Sequence, residues 1–239
     1  PKDFCINFID VGQGDSTLIT TQYNKKILID GGGSEFATFD VGKQTLLPYL
    51  LNKSILNVDY LLFTHFDSDH CQGLFTILEN IRVKNVIIGE QGKDSENFDK
   101  FLKLIDSKHT NVIKVKAGDK IVIDKYCNLE IVFPDSDLIK QNILNNNSIV
   151  SKFNFQKCSI LFTGDIEKVA EEKIIRKYKE TEKLKSNILK VAHHGSKSSS
   201  IQQFLEMVKP EIALIGVGEK NTFGHPNGEV LERLNELRL

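Results

Sequence analysis

Apolar and polar positions change period several times along the chain, and the changes divide it into strands and helices. Residues 4–10 alternate apolar and polar side chains, as a strand with one buried face does. Residues 16–21 and 26–30 read as two more strands, separated by a turn at Tyr23-Asn24-Lys25, and Gly31-Gly32-Gly33 ends the pattern. Residues 43–53 suggest a helix whose first turns Pro48 limits. The apolar run Tyr60-Leu61-Leu62-Phe63 predicts a strand, followed by a helix over 73–81 and a strand over 83–88. Phe98, Phe101, Leu102 and Ile105 keep a helical spacing and predict a helix over 95–107. Short strands are expected at 112–115, 120–123 and 129–133, then a polar, asparagine-rich stretch over 135–148. Residues 149–155 and 158–163 read as a hairpin turning at Gln156-Lys157. The last third alternates a helix (167–180), a strand (188–192), a helix (201–208), a strand (212–217) and a helix from Asn227. Two strand-rich blocks, each ending in helices, predict one α/β domain over residues 1–239, a four-layer αββα sandwich with no long linker.

Composition narrows the function classes. A hydrophobic content of 40% with 15 Phe supplies a sizeable core. The 31 basic and 32 acidic residues leave a net charge of -1, so no global field draws in nucleic acid or an anionic membrane. Lys183, Lys185, Lys190 and Lys197 form either a local basic face or an ordinary solvated helix face with its adjacent loop. Cys5, Cys71, Cys127 and Cys158 stand far apart, which points to reduced thiols. Cys71 follows His70 but reads as a small buried residue at a helix start rather than a ligand. No stretch approaches the roughly 18 apolar residues of a membrane helix, and no signal region opens the chain. The expectation is a cytoplasmic protein or a soluble domain of a larger one, with Pro1 and Leu239 compatible with an excised piece.

The chemistry concentrates in Thr64-His65-Phe66-Asp67-Ser68-Asp69-His70, which places four metal-competent side chains in six residues after an apolar run. Imidazole and carboxylate are ligands for divalent transition metals. A packed loop without an ion would desolvate two carboxylates with nothing to compensate them. Three other strand ends carry similar groups: Asp165 in Thr163-Gly164-Asp165, the adjacent pair His193-His194, and His225 in Gly224-His225-Pro226. Strand ends on one edge of a sandwich can converge, so distant ligands can share one site. Thr-Gly-Asp and Gly-His-Pro alone are also common turn sequences; it is the set of four that argues for metal.

The stretch from Thr64 to His70, with Gly73 behind it, resembles the metal-binding signature of the metallo-β-lactamase superfamily, usually His-x-His-x-Asp-His. Here Asp67 stands in place of the second histidine. The wider pattern is similar to the hydrolase domain of the ComEC/Rec2 competence proteins and their stand-alone relatives. Its segments include residues 8–15, Leu28-Ile29-Asp30-Gly31-Gly32, Asn146-Asn147-Ser148, Leu161-Phe162-Thr163-Gly164-Asp165, residues 189–196 and Phe223-Gly224-His225-Pro226. The resemblance implies that His65 and Asp67 hold a first ion, Asp69 and His70 a second, and Asp165 bridges them. His193 would complete the first site and His225 the second, with His194 the alternative ligand or a donor behind the ligands. Asp30 would orient ligands, and Asp10, Gln13 and Asp15 would brace the loops. Asn146-Asn147-Ser148 occupies the interval where the family usually has a further histidine.

Two divalent ions, Zn²⁺ or Mn²⁺, imply a metal-bridged hydroxide that attacks a phosphoryl or carbonyl centre. Asp69, Asp165 and His194 are the expected catalytic groups. Asp67 makes the site harder than an all-imidazole set and favours Mn²⁺. The resemblance implies a phosphodiesterase or nuclease acting on DNA. The same core also serves small-molecule phosphodiesterases, phosphorylcholine-type esterases and lactonases, and a third reading is a non-catalytic metal-binding accessory module.

Overall fold

The computed structural model describes residues 3–34, 39–90, 95–108 and 110–237, so His109 lies outside the described residues. The chain divides into two compact units, Pro1–Val115 and Lys116–Leu239.

In the first unit, β1 (Cys5–Phe8), β2 (Thr17–Thr20) and β3 (Lys26–Ile29) form an antiparallel meander. Strands β4 (Asn57–Leu62), β5 (Arg82–Ile88) and β6 (Asn111–Lys114) extend it in parallel, giving a six-stranded sheet in chain order. Parallel neighbours need crossovers, and α1 (Leu47–Asn52), α2 (Ser68–Asn80) and α3 (Glu96–Asp106) lie in those connections. Strand β3, Lys-Ile-Leu-Ile, sits between β2 and β4 and is buried at all four positions, so it shows no alternation. Leu28, Leu61 and Val86 of the sheet share one core cluster with Leu74 and Leu78 of α2 and Phe101 of α3. The helix expected over 43–53 has two parts, a π-helical segment Gly42–Leu46 running into α1, with Pro48 in the first turn of α1. Proline gives no N–H to the turn before it, and the helical run changes from π to α next to it.

Helix α2 begins at Ser68, five residues before the expected start at Gly73. Asp67 is its N-cap residue, and the Asp67 carbonyl accepts from the N–H groups of His70 and Cys71 at 3.1 and 3.0 Å. Gly73 is not a helix breaker but a point of contact. A Cβ there would lie 2.0 Å from the Gly31 carbonyl oxygen, and its N–H donates to Gly32 O at 3.0 Å. The glycine lets the loop after β3 lie directly on the helix. That contact carries Asp30 to the first turn of α2.

In the second unit, β7 (Lys120–Val122), β8 (Cys127–Phe133), β9 (Val150–Phe155) and β10 (Cys158–Phe162) are successively antiparallel. Strands β11 (Ile188–Lys190) and β12 (Ile212–Leu214) add in parallel beyond β10. Helices α4 (Lys168–Tyr178) and α5 (Gln202–Val208) make the crossovers, and α6 (Gly228–Glu236) follows, capped by Asn227, whose Oδ1 accepts Glu229 N–H at 3.1 Å. Leu161 and Leu189 of the sheet cluster with Ile174, Leu205 and Val230 of the three helices. Of the four lysines considered as a basic face, Lys190 does not contribute, since it is buried with its Nζ on the Val191 carbonyl.

Candidate metal centre

Each unit sends its ligand-type residues from the C-terminal ends of its parallel strands, where loops of an α/β sheet are free to carry chemistry. In the first unit Asp30 follows β3 and His65 follows β4. Asp30 is the organising group. Its Oδ1 accepts Thr64 N–H at 2.9 Å, and its Oδ2 accepts the Thr64 hydroxyl at 2.7 Å and faces His70 Nδ1 at 2.9 Å. Since Thr64 Oγ1 gives its proton to Asp30, it can only accept from His65 Nδ1, 3.1 Å away. This network assigns both imidazoles the Nδ1–H form and leaves each Nε2 with a lone pair to offer. His65 and His70 are both wholly buried with ring centres 4.2 Å apart. Among the described residues His65 Nε2 has no hydrogen-bond partner; the Asp67 carboxylate lies 3.6 Å from it. A buried imidazole nitrogen beside a carboxylate, with its other nitrogen held by a hydroxyl, fits a divalent cation and is hard to explain otherwise.

Asp67 and Asp69 are half-buried, at the cap and in the first turn of α2. Asp15 is buried, donates its N–H to the Asp69 carbonyl at 3.3 Å, and brings a carboxylate oxygen within 4.8 Å of a His70 ring nitrogen. A ligand position for Asp15 has only the weak signal of an acid in a glycine-flanked loop. Asp10 is exposed and accepts from the Gly12 N–H at 3.0 Å. Phe66 fills the middle of the ligand stretch. It is buried, stacks on Phe63 at 5.3 Å and meets Phe98 edge-on at 5.0 Å. That aromatic wedge holds the loop between His65 and Asp67. Cys71 is buried with its thiol donating to the Phe66 carbonyl at 3.4 Å, and burial pushes that thiol far above the ordinary range, as for a structural cysteine.

In the second unit Asp165 follows β10, and His193-His194 follow β11. Asp165 donates its N–H to Ser148 Oγ at 3.1 Å. Asn146 holds the same turn from the side: its Oδ1 accepts Glu167 N–H and its Nδ2 donates to Glu167 Oε2, both at 3.0 Å. The Asn-Asn-Ser segment therefore positions the acid rather than supplying a ligand in place of the family's histidine. His194 lies with Nε2 3.3 Å from Asp165 Oδ2 and Nδ1 2.8 Å from the Gly216 carbonyl, so Nδ1 carries the proton. His193 is farther, 3.9 Å from Asp165 Oδ2, with Nδ1 3.7 Å from Glu167 Oε1. Both histidines are left-handed, at φ 50° and 54°, and Gly195 follows at 78°. That sharp backbone turns neighbouring side chains onto the same carboxylate. The His225 ring lies 5.9 Å from that of His193, and Asn221 Oδ1 accepts from both Phe223 N–H and His225 N–H. Each unit thus carries a His/Asp cluster suited to binding metal ions.

The family model of the metallo-β-lactamase superfamily matches residues 9–219, and the chain belongs to that superfamily as a metal-dependent hydrolase. It is 30% identical to ComE operon protein 3 of Bacillus subtilis (strain 168) over 240 residues, covering 96% of this chain and 30% of that protein. It is 29% identical to Recombination protein 2 of Haemophilus influenzae over 98% of this chain and 26% of that protein. The chain therefore spans less than a third of either relative. Among solved structures, the metallo-β-lactamase SMB-1 in complex with mercaptoacetic acid superposes with a TM-score of 0.52 at 15% identity, over 81% of this chain and 80% of that one. The α/β metallo-β-lactamase sandwich expected from the motifs is the fold these likenesses show, and the ComEC/Rec2-type resemblance holds along nearly the whole chain. Among the described residues no helix is long and apolar enough to cross a membrane.

Proposed function

We propose that this chain is a phosphodiesterase that cuts DNA, using two divalent ions, Zn²⁺ or Mn²⁺, in one hydrolase domain spanning residues 1–239. The observation that carries the metal part is the Asp30–Thr64–His65/His70 network, which presents buried imidazole lone pairs. The DNA part rests on relatives whose names refer to competence operons and recombination. The single-domain reading is supported by a family model that runs unbroken from residue 9 to 219.

In this reading His65, Asp67, Asp69, His70, Asp165, His194 and His225 hold the ions, with Asp15 as a further carboxylate beside His70. His194 takes precedence over His193 because it is nearer Asp165 and its Nδ1 proton is engaged by a carbonyl. Divalent ions in such a set supply Lewis acidity and a water of lowered pKa. The chain's own residues do the rest. Asp30 and Thr64 fix ring tautomers, and Ser148 and Asn146 fix the Asp165–Glu167 turn. His193, with its side chain 21% exposed and Glu167 Oε1 3.7 Å from its Nδ1, stands beside the ligands where the departing group leaves. No serine is needed as nucleophile: Ser16 Oγ donates to the Asp30 carbonyl, and Ser196 pairs with Ser198.

The test is incubation of metal-stripped, Mn²⁺- or Zn²⁺-reloaded chain with single- and double-stranded DNA, beside chromogenic phosphodiesters and lactones. DNA cleavage that Asp165→Asn abolishes, together with loss of bound metal, is the expected result. Intact DNA with turnover of a lactone or small ester would overturn the substrate assignment.

A further inference from the structure

A cavity of about 390 Å³ opens in the second unit beside the His193 turn, lined among others by Lys168, Lys197, Arg233, Gln141, Glu167 and Ser198. Its three cations come from three separate segments: the first residue of α4, the loop after His193-His194, and α6. Glu167 is the one carboxylate among the lining residues, and Lys168 also lies 3.9 Å from Glu172, so the three cations are offset only in part in a chain whose net charge is -1. Glu167 is moreover engaged on its own side, accepting from Asn146 and from Ser198 Oγ at 3.0 Å each. Arg233 is half-buried. One Nη2–H reaches the Ser199 carbonyl at 3.3 Å, yet its buried Nε has no hydrogen-bond partner among the described residues. A guanidinium held in place with a donor unspent is suited to an anion of tetrahedral oxygens. The wall between cavity and candidate metal ligands is one side chain thick. Glu167 Oε1 faces the cavity's Ser198 and also lies 3.7 Å from His193 Nδ1.

We propose that this cavity binds a backbone phosphate of a single-stranded nucleic acid, next to the phosphate that is cut. The proposal rests on the DNA-cutting reading and adds to it a second phosphate position beside the one that is cut, which a small diester could not fill. Lys168 and Lys197 supply charge, and Arg233 supplies directional hydrogen bonds. A second lysine-lined cavity, with Lys152, Lys157 and Lys185, lies by the turn of the β9–β10 hairpin, at the opposite end of β10 from Asp165. It serves as the control.

The experiment is fluorescence anisotropy of a labelled oligo-dT with the full chain, titrated across salt, for wild type, Lys168→Gln/Lys197→Gln and Lys157→Gln. Lys168 and Lys197 are exposed, so the double variant folds. Each phosphate neutralised on a single strand contributes about 0.7 to the slope of log affinity against log salt. The double variant is expected to lose about 0.7 of that slope, the share of the one phosphate held there, so that wild type loses about 2.6-fold more affinity than it between about 50 and 200 mM salt. Lys157→Gln keeps the wild-type slope. The KM for oligo-dT cleavage rises in the double variant while kcat holds. An unchanged slope, a loss equal in the control, or no binding of oligo-dT by wild type overturns the proposal. Binding through these lysines without any cleavage leaves the cavity standing and removes the nuclease reading instead.

Discussion

Replacing Thr64 by Val is the sharpest test of how the histidines are aimed. The hydroxyl donates to Asp30 at 2.7 Å and faces His65 Nδ1 at 3.1 Å, and valine keeps the shape while removing these contacts. The His65 ring is wholly buried, so without the hydroxyl its Nδ1–H loses its acceptor and finds no water. The alternative tautomer, with the proton on Nε2 toward Asp67 at 3.6 Å, then competes with metal binding. Groups that orient metal-binding histidines are worth about 10- to 100-fold in metal affinity, or roughly 1.4–2.7 kcal/mol. A hydrogen bond to a charged group is worth about 1.5–3 kcal/mol, so the two routes agree. The assay is competition for Mn²⁺ and Zn²⁺ against a chromogenic chelator, with urea unfolding in EDTA reporting the fold alone. Thr64→Ser restores most of the affinity. A Thr64→Val affinity within about twofold of wild type would refute the relay, because the range above starts at tenfold.

Other outcomes follow from the same contacts. Phe66→Ala removes a buried aromatic from the loop joining His65 to Asp67 and is expected to cost about 3–5 kcal/mol by urea midpoint; a cost under about 1 kcal/mol would mean that the loop does not depend on that wedge. Burial pushes the Glu171 carboxyl up to about 7, against the opposing N–H groups of Ser200 and Ile201 and the charge of Arg233. The folded chain keeps a proton that the unfolded chain releases near 4.5, so stability is full below that pH, falls as pH rises to 7, and levels off about 3 kcal/mol lower. Glu171→Gln flattens that decline in pH-dependent unfolding, and a slope that persists in the variant contradicts it. Asp67→His exchanges an oxygen donor for imidazole and shifts the Mn²⁺/Zn²⁺ activity ratio toward Zn²⁺; an unmoved ratio would mean that Asp67 does not set metal preference.

Strand identity was legible wherever one face is buried or an apolar run is short, and twelve strands lie where the pattern predicts them. The start of α2 was not, because Gly73 looks the same in sequence whether it ends a helix or admits a neighbouring loop. Only the approach of Gly31 distinguishes the two. His65, His70, Asp165 and the His193-His194 pair stood out by residue type and spacing. Which of the adjacent histidines faces Asp165 depends on backbone angles that no residue type encodes, and Asn146-Asn147-Ser148 revealed its role only through the hydrogen bonds to Asp165 and Glu167. Lys190 reads as solvated charge in the sequence, whereas the fold buries its whole side chain and gives its ammonium the Val191 carbonyl as acceptor.

The two consecutive left-handed histidines have an implication for how this corner of the molecule persists. For L-residues that conformation is disfavoured by about 1–2 kcal/mol each, and glycine would adopt it freely. Selection for thermal robustness alone would therefore favour glycine at both positions. Laboratory evolution toward heat tolerance is expected to trade chemistry for ruggedness at this turn.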